Sequence, residues 1–536
     1  HGNHDFSKKQ WHDNLFKSGY ASHSIHLKVV EVAGIRIAGL GGVFLSKVWY
    51  PPAIPKWMNK SHFLKFQPSN VKKQGGLLKH RSAIWPNEFD HLKKLNADIL
   101  VTHEAPSCHK FGFDVIDFSV APSIQENILI AWTQVDSVEA KVKLWSGFYN
   151  AHTNVWFDTP SSNTVLTLPL EIRASSNAGG DILQIDLSSN SDGKAAVTWV
   201  QASELTGVNT VWMSYFDGVE WSANAILVSE SVPPEAEFAS SPSSKILANG
   251  DVVISWVESS AGLTKVKART FSTQNGLTAE TVFEPAGAIN AIDPVMATNG
   301  DDVVVVWLQS VGGVQRIYSS AYSPVAGWEL PAQPLQANIT NGDASSLSVD
   351  INSDGDGFAV WSEFDGLLTN IWRSRYASKT WATPVLVEED SRGDAFSPII
   401  NMGSRDGEAQ VIWLQTVGSL NQIRETHFSL TDGWSSNLNV ISTLSVLNSP
   451  KVASVFDGYS NVTAFWTVSG NKNASRYSSA ESDWKGGGVA SASQGDALEP
   501  RLLPIALDGR ILATWRELVD GNYRLTTSLY DSIFDE

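Results

Sequence analysis

The side chains best suited to chemistry lie near the beginning of this sequence. Ten of the twelve histidines fall within residues 1–117. Two stretches place a histidine beside other polar groups: Gly2-Asn3-His4-Asp5, and Thr102-His103-Glu104 at the end of an apolar run. Histidine acts as an acid or base near neutral pH and is also a common metal ligand. Acid–base or metal-assisted chemistry is therefore expected in this segment rather than in the remainder of the chain.

Two short strands and a helix must position these side chains. Residues 35–42 predict a buried strand that ends in a glycine turn. Residues 85–95 predict a helix that has Asn87 as its N-cap. Residues 98–103 predict a second buried strand, which presents His103 at its C-terminal edge, where α/β sheets build their sites. A partial α/β segment is the expected result.

Three motifs in this order resemble the calcineurin-like metallophosphoesterases. They are Gly-Asn-His-Asp at residues 2–5, the strand and glycine turn of residues 33–42, and Ile-Leu-Val-Thr-His-Glu-Ala-Pro-Ser at residues 99–107. The resemblance implies that Asn3 and His103 ligate a divalent metal (Mn, Fe or Zn), and that His4 is catalytic at a phosphoester substrate. In such sites two metals supply a hydroxide nucleophile while a histidine manages charge on the leaving oxygen.

The resemblance covers only part of the family's pattern. The family places Asp-x-His and Gly-Asp motifs before its Asn-His motif and a Gly-His-x-His motif after its Thr-His strand. The nearest histidine here, His152, lacks the glycine and the second histidine. We therefore expect an incomplete metal site, no activity from this chain alone, and a processed, truncated or partial sequence. Cys108 and His109 are interpreted as loop residues rather than zinc ligands.

The charge of the chain changes sign after residue 117. Residues 1–117 hold 16 basic and 9 acidic residues, a net charge of +7, whereas residues 118–536 hold 23 basic and 47 acidic residues, a net charge of −24. An acidic surface disfavours nucleic acid as a partner, because phosphate must be neutralised by Lys and Arg. The one cysteine excludes an internal disulfide framework. Apolar runs are of strand length, so no membrane span is expected.

A repeat fills the rest of the chain. An Asp-Gly or Asn-Gly pair, in one copy the degenerate Glu126-Asn127, is followed by a tryptophan every 49 to 67 residues. These tryptophans are Trp132, Trp199, Trp256, Trp307, Trp361, Trp413, Trp466 and Trp515. A fixed period of this length predicts an array of repeated supersecondary units.

The copy around Trp361 predicts four strands in one period. Residues 346–351, 358–363, 370–376 and 379–387 each have strand-like composition, and Asp354-Gly355 suits the first hairpin. Pro384 is tolerable if the fourth strand is an outer edge. The fold class is therefore predicted as mostly β, an eight-bladed β-propeller (residues 118–536) of four-stranded antiparallel blades preceded by the α/β segment. Seven blades plus a partial unit is the runner-up.

The repeated tryptophans are interpreted as packing residues between blades. Burying one removes about 150–250 Å² from water, which explains the repetition without a ligand. Partly exposed tryptophans can stack on sugars, but the regularity of a second set on the outer strand again favours blade packing: Trp156, Trp221, Trp328, Trp381, Trp434 and Trp484. The last copy ends before a fourth strand, and residues 113–120 are predicted to supply that strand and close the ring.

Two functions remain open from the sequence. One is a metallophosphoesterase-derived hydrolase segment fused to a propeller binding module. The other is a non-enzymatic binding or scaffold protein, whose propeller recognises a polysaccharide or a protein. Localisation stays open too, because the propeller copies resemble those of exported bacterial proteins whereas the phosphoesterase segment suggests the cytoplasm.

Overall fold

The computed structural model describes residues 26–32, 35–40, 57–73, 83–92, 94–95, 99–102, 115–123, 127–135, 141–150, 155–157, 170–172, 179–203, 207–229, 238–283, 285, 288–335, 342–388, 392–403, 407–436, 438–445, 450–457, 459–468, 471–478, 483–489, 496–505, 509–519 and 522–530. Contacts divide the chain into two compact units, His1–Lys110 and Phe111–Glu536, which are described separately. The domain boundary that the sequence predicts between residues 117 and 118 stays a prediction.

The described part of the first unit contains a small mixed sheet and three short helices. Its strands are β1 (Val29–Val32), β2 (Ile35–Leu40) and β3 (Ile99–Thr102), and its helices are α1 (Lys60–Lys65), α2 (Ser69–Lys73) and α3 (Pro86–Leu92). Strand β1 is antiparallel to β2, and β2 is parallel to β3, with Ile37 opposite Ile99 and Leu40 opposite Thr102. The strand–helix–strand order predicted for this segment is confirmed.

Helix α3 starts earlier than the sequence suggested. Pro86 is its first residue, so Asn87 lies inside the first turn and its prediction as the N-cap is wrong. The backbone N–H of Trp85 donates to Glu88 Oε2 at 3.1 Å. Proline suits the first helical position because it has no N–H to leave unpaired, and a glutamate two residues later can satisfy the preceding N–H. The helix also ends at Leu92 rather than at residue 95.

The second unit is an eight-bladed β-propeller, as predicted. Each repeat folds into its own antiparallel sheet, in which the strands follow chain order from the inside of the ring outwards. Blade 1 comprises β4 (Val115–Pro122), β5 (Asn127–Val135), β6 (Val142–Asn150), β7 (Val155–Phe157) and β8 (Leu170–Glu171), and blade 2 comprises β9 (Gly179–Ser189), β10 (Ala195–Ser203), β11 (Asn209–Phe216) and β12 (Ile226–Leu227). Blade 3 comprises β13 (Phe238–Ile246), β14 (Val252–Ser260), β15 (Leu263–Ser272), β16 (Gly276–Leu277) and β17 (Thr281–Phe283). Blade 4 comprises β18 (Ala288–Thr298), β19 (Val303–Val311), β20 (Val314–Ser323), β21 (Gly327–Trp328) and β22 (Gln333–Pro334).

The remaining blades follow the same plan. Blade 5 comprises β23 (Ala344–Ile351), β24 (Gly357–Phe364), β25 (Thr369–Ala377), β26 (Thr380–Trp381) and β27 (Val385–Leu386). Blade 6 comprises β28 (Ala395–Met402), β29 (Ala409–Val417), β30 (Leu420–Ser429), β31 (Gly433–Trp434) and β32 (Asn439–Ser445). Blade 7 comprises β33 (Lys451–Phe456), β34 (Val462–Val468), β35 (Asn471–Ser478) and β36 (Asp483–Val489), and blade 8 comprises β37 (Asp496–Pro504), β38 (Ile511–Val519) and β39 (Asn522–Tyr530). Where the outer strand is broken in two, both pieces pair with the third strand. Pro384 lies in such a break, between β26 and β27.

The second strand of each blade is buried on both faces because neighbouring blades cover both sides of the sheet. In β19, seven consecutive residues from Val303 to Gln309 are buried. A strand with two buried faces therefore appears in the sequence as a continuous apolar run rather than as an alternating one. The core is a series of apolar clusters, one at each blade–blade interface where the clusters are described.

The Asx-Gly pairs form the hairpins between the first and second strands. Gly355 has φ +82°, a conformation that glycine adopts without steric cost. Asn352 Oδ1 accepts the backbone N–H groups of Asp354 (3.1 Å) and Asp356 (3.0 Å) and so closes the turn. This arrangement confirms that the polar turn residues of this copy shape the hairpin.

Among the residues that the structure describes, the ring closes by packing between blades 8 and 1. Each innermost strand contacts the next around the whole circle, and β37 of blade 8 contacts β4 of blade 1. The prediction that residues 113–120 complete blade 8 is wrong, because β4 (Val115–Pro122) is the innermost strand of blade 1. Over the part of the chain that the structure describes, blade 8 has three strands. An apolar cluster that includes Phe118 of blade 1 and Leu512 of blade 8 fills the seam.

Candidate functional site

The site residues expected from the phosphoesterase resemblance are not described by the structure. Asn3, His4 and His103 lie outside the described residues. His103 nevertheless directly follows β3, whose last residue, Thr102, pairs with the last residue of the parallel strand β2. Among the described residues, no group of three or more His, Cys, Asp or Glu side chains could hold a metal ion. The metal and catalytic assignments therefore stay predictions.

The second-strand tryptophans form the core and do not present a binding surface. All eight have an exposed fraction of 2% or less. In Trp361 the indole N–H donates to Glu363 Oε2 at 2.8 Å, and the corresponding contact in Trp307 reaches Gln309 Oε1 at 3.0 Å. A buried tryptophan needs a partner for its N–H. The pattern Trp-x-Gln/Glu occurs in seven of the eight copies, and in five of them the indole N–H donates to that Gln or Glu side chain. The sequence analysis missed this signal.

The outer-strand tryptophans also pack within and between blades. Trp381 pairs with Tyr376 across the strands of blade 5, with ring centroids 4.8 Å apart. Trp434 of blade 6 reaches back to Phe358 of blade 5 at 5.1 Å. These side chains are only half-buried, but their aromatic neighbours explain their positions. Sugar stacking is therefore not needed to account for them.

A bulge near the start of most innermost strands shapes one end of the central channel. The register of the first pair of strands shifts there, and one residue, or two in β18, takes a left-handed conformation. The left-handed residues in these strands are Gln184, Ser241, Asn290, Asp293, Ser346, Ser397 and Glu499. A bulge bends its strand and redirects side chains. The bulges lie at the end of the ring where the second strands end and the third strands begin.

At this end a pocket of about 490 Å³ opens beside the seam between blades 8 and 1. We call it the seam pocket. Its lining comes from the inner strands of blades 8, 1, 2 and 3 and from the adjoining strands of blades 1 and 2: Ile116, Asp117, Thr133, Ile182, Leu183, Gln184, Val200, Asn209, Ser240 and Glu499. Nine of these ten residues belong to blades 1 to 3, and Glu499 is the contribution of blade 8.

Two carboxylates in the seam pocket are held by neighbouring groups. Asp117 accepts the backbone N–H of Phe118 at 2.8 Å and, across the blade boundary, that of Ile185 at 3.1 Å. Burial raises the pKa of Asp117, although these two N–H groups act in the opposite direction. Glu499 pairs with Arg516, whose Nη2 lies 2.8 Å from Glu499 Oε1. In their ionised forms both groups can accept further hydrogen bonds.

Arg516 also fastens the seam. Its Nη1 donates to the backbone carbonyl of Val115 at 3.3 Å and to that of Ile116. One guanidinium thus links the carboxylate of Glu499 in blade 8 to the innermost strand of blade 1. A planar group with five N–H donors suits such a position. The seam pocket and the closure of the ring consequently share residues.

The remaining polar side chains of the seam pocket are amides and hydroxyls. Gln184 Oε1 accepts the backbone N–H of Ser241 at 2.8 Å, which orients its amide group. Asn209, at the start of β11, has no side-chain hydrogen-bond partner among the residues that the structure describes. Ile116 and Leu183 contribute apolar surface, with 42% and 40% of their area exposed. The pocket thus combines acceptors, amide donors and an aliphatic wall.

A carboxylate that joins two neighbouring blades also occurs elsewhere in the ring, at a place where no pocket is described. Asp350 of blade 5 accepts the backbone N–H of Met402 in blade 6 at 2.8 Å and that of Ile351 at 3.0 Å. Burial raises the pKa of Asp350 to about 6. A carboxylate that joins neighbouring inner strands is therefore a structural device of this propeller. The accessible surface around Asp117 distinguishes the seam pocket from it.

Comparisons with known proteins show similarity to other propellers but no family. No known family profile matches the chain. A stretch of 118 residues, 22% of this chain, is 40% identical to an uncharacterized protein of Haemophilus influenzae, so the chain spans about half (52%) of that relative's length. No helix among the described residues is long and apolar enough to cross a membrane.

Solved structures resemble the chain only loosely. A polysaccharide lyase of family PL25, an ulvan lyase, aligns with 79% of this chain and 97% of its own at 8% identity, with a TM-score of 0.43. The β-propeller domain of the Trilobed protease from Pyrococcus furiosus aligns with 70% and 95% at 10% identity, with a TM-score of 0.39. The GH93 α-L-arabinofuranosidase of Fusarium graminearum aligns with 65% and 93% at 12% identity, with a TM-score of 0.37. Function must therefore be argued from the residues of this chain.

Proposed function

We propose that the propeller is a non-enzymatic binding module that holds a polysaccharide in the seam pocket. The observation that carries the proposal is a 490 Å³ pocket with convergent polar groups from four blades. Ligand sites of small molecules or short chain segments have volumes of about 300–1,000 Å³. A protein partner of standard size would instead bury about 800 Å² of this chain's surface. Pocket geometry therefore favours a polysaccharide over a protein.

Binding fits the described chemistry better than catalysis. A general acid must hold a proton and reach a leaving group, and a nucleophile must approach the substrate freely. In the seam pocket both oxygens of Asp117 accept backbone N–H groups, and Glu499 is paired with Arg516. These contacts fix the carboxylates as acceptors for ligand hydroxyls.

Removal of the Asn209 amide tests the proposal. Asn209→Ala is expected to weaken polysaccharide retention roughly three- to tenfold, the value of one hydrogen bond, in affinity electrophoresis against a panel of soluble plant, algal and bacterial polysaccharides. Asn522→Ala is the matched control, because Asn522 is likewise the first residue of a third strand, β39, but does not line the seam pocket. Retention that both variants leave unchanged, or no retention at all, would refute the proposal.

The phosphoesterase segment supports a second candidate function. We propose that residues 1–117 derive from a metal-dependent phosphoesterase in which Asn3 and His103 hold a divalent metal and His4 acts on the phosphoester. The favouring observation is that His103 follows a strand parallel to β2, at the edge where such sheets place their sites. A bound Mn, Fe or Zn ion would polarise the phosphoryl oxygens.

Metal-dependent turnover tests this second candidate. Hydrolysis of a nitrophenyl phosphodiester with manganese is expected to fall at least a hundredfold in His4→Ala and in His103→Ala. His91→Ala, an exposed histidine on α3, should retain the activity of the parent chain. If the parent chain neither turns over substrate nor retains metal after dialysis, the segment is not an active enzyme.

A further inference from the structure

The charge arrangement in the seam pocket distinguishes between classes of ligand. Asp117 and Glu499 both line it, and the unit that surrounds it carries 47 acidic and 23 basic residues from residue 118 onwards. An anionic ligand would bring a further negative charge close to both carboxylates, where like charges repel. A uronate or sulfate group is therefore disfavoured.

A cationic ligand would have to displace contacts that the two carboxylates already make. The Glu499 carboxylate already lies 2.8 Å from the Arg516 guanidinium, which is only 12% exposed. Both Asp117 oxygens accept backbone N–H groups. An ammonium group would compete with these contacts, whereas a hydroxyl can donate to the remaining lone pairs of either carboxylate.

The other lining groups match a neutral sugar. The side-chain amides of Gln184 and Asn209 can donate and accept, as hydroxyl groups require. The exposed aliphatic surfaces of Ile116 and Leu183 can cover the C–H face of a sugar ring. A sugar bound here would touch blades 8, 1 and 2 together.

We infer that the seam pocket takes an uncharged, hydroxyl-rich saccharide unit, held by Asp117, Glu499, Gln184 and Asn209. The inference rests on the proposed binding function and adds the ligand class. A neutral saccharide that contacts Glu499 of blade 8 as well as blades 1 and 2 bridges the seam. Occupancy is therefore linked to ring closure, and the ligand stabilises the fold by mass action.

Titration calorimetry on the full chain tests the ligand class. The probes are five neutral hexasaccharides (malto-, cello-, xylo-, manno- and laminarihexaose) and one charged counterpart, hexagalacturonate. At least one neutral probe is expected to bind at one site per chain, at least tenfold more tightly than hexagalacturonate. Its affinity should change less than twofold between 0.05 and 0.5 M NaCl, because no ion pair forms. The same probe should raise the melting temperature of the chain.

Gln184→Gly supplies the site-specific variant. Glycine keeps the left-handed backbone at this position, where φ is +43°, so the side chain is removed without new strain. Affinity for the neutral probe should fall about fivefold. Ser397→Gly is the matched control, since Ser397 is a left-handed bulge residue of blade 6 (φ +53°) outside the seam pocket. Its affinity should equal that of the parent chain.

The outcomes separate this inference from the binding function. Tighter binding of hexagalacturonate than of every neutral probe, with sensitivity to Gln184→Gly, would overturn the ligand class while the pocket remains a binding site. Failure of all five neutral probes would also overturn the ligand class. Capture of peptides in the pocket would show that the partner is a protein. Saccharide binding that Gln184→Gly and Asn209→Ala both leave unchanged would overturn the site itself.

Discussion

Trp361→Ala is expected to lower the free energy of unfolding by about 3–5 kcal/mol, the usual cost of removing a buried aromatic side chain. Trp361 is fully buried and belongs to the apolar cluster between blades 4 and 5. Its indole N–H donates to Glu363, which is itself 1% exposed. The substitution leaves a cavity and removes a hydrogen-bond donor from a buried carboxylate, so both effects act in the same direction.

Urea unfolding followed by far-ultraviolet circular dichroism measures the effect. Trp381→Ala is the control, because Trp381 lies on the outer strand of the same blade and is only half-buried. Its cost should be about 1–2 kcal/mol, in proportion to the smaller apolar area lost. A Trp381→Ala variant that is less stable than Trp361→Ala would contradict the assignment of the second-strand tryptophans as the main packing residues.

The architecture of the propeller could be predicted because its determinants are local and repeated. The Asx-Gly turns need a residue with positive φ, and Gly355 has it. The apolar second strands need two covered faces, and stacking of blades supplies them. Each of these requirements is visible in the sequence of a single repeat, so the eight copies predict the same kind of blade. The strands around Trp361 accordingly match their predicted positions to within two residues in the first three cases.

The seam and the pocket could not be predicted because they depend on contacts between distant parts of the chain. Arg516 donates to the carbonyls of Val115 and Ile116, which lie 401 and 400 positions away in the sequence. Counting strands in the last repeat suggested strand exchange, whereas residues 115–122 form the innermost strand of blade 1 and blades 8 and 1 pack through an apolar cluster. A local signal did exist for some of the bulges: Ser241, Asp293, Ser397 and Glu499 each precede a proline within an innermost strand.

The motifs of the first segment illustrate a different limit. The strand that leads to His103 was predicted from its apolar run, and β3 confirms it. The chemistry of Asn3, His4 and His103 rests on resemblance to a family, and the residues that would test their geometry are not described. The fold of this segment does not establish its function, because many enzymes and many proteins without activity share a parallel strand pair.

Removal of the buried ion pair between blades 7 and 8 should destabilise the propeller nearly as much as loss of a core tryptophan. Lys472 Nζ lies 2.7 Å from Glu517 Oε1, and the two side chains are 0% and 4% exposed. Lys472→Met keeps the aliphatic stem but removes the ammonium group that lies beside the buried Glu517 carboxylate. Such a change typically costs about 3–5 kcal/mol. Lys379→Met is the control, because the Lys379–Asp302 pair has a similar distance (2.9 Å) but a 59% exposed lysine; its cost should stay below about 1 kcal/mol.

The double variant Lys472→Met/Glu517→Leu distinguishes two contributions to the free energy of unfolding: the net stabilisation by the ion pair, and the destabilisation caused by removing only one of its partners. Two apolar side chains bury no charge, so the double variant should recover most of the stability lost in Lys472→Met. Thr526, whose hydroxyl donates to Glu517 Oε2 at 3.1 Å, would lose that bond and limit the recovery by about 1 kcal/mol. A double variant as unstable as the single one would mean that the pair itself, rather than desolvation of a lone carboxylate, holds blade 7 to blade 8. Blade 8 would then depend on Lys472 at one border and on Arg516 at the other to remain in the ring.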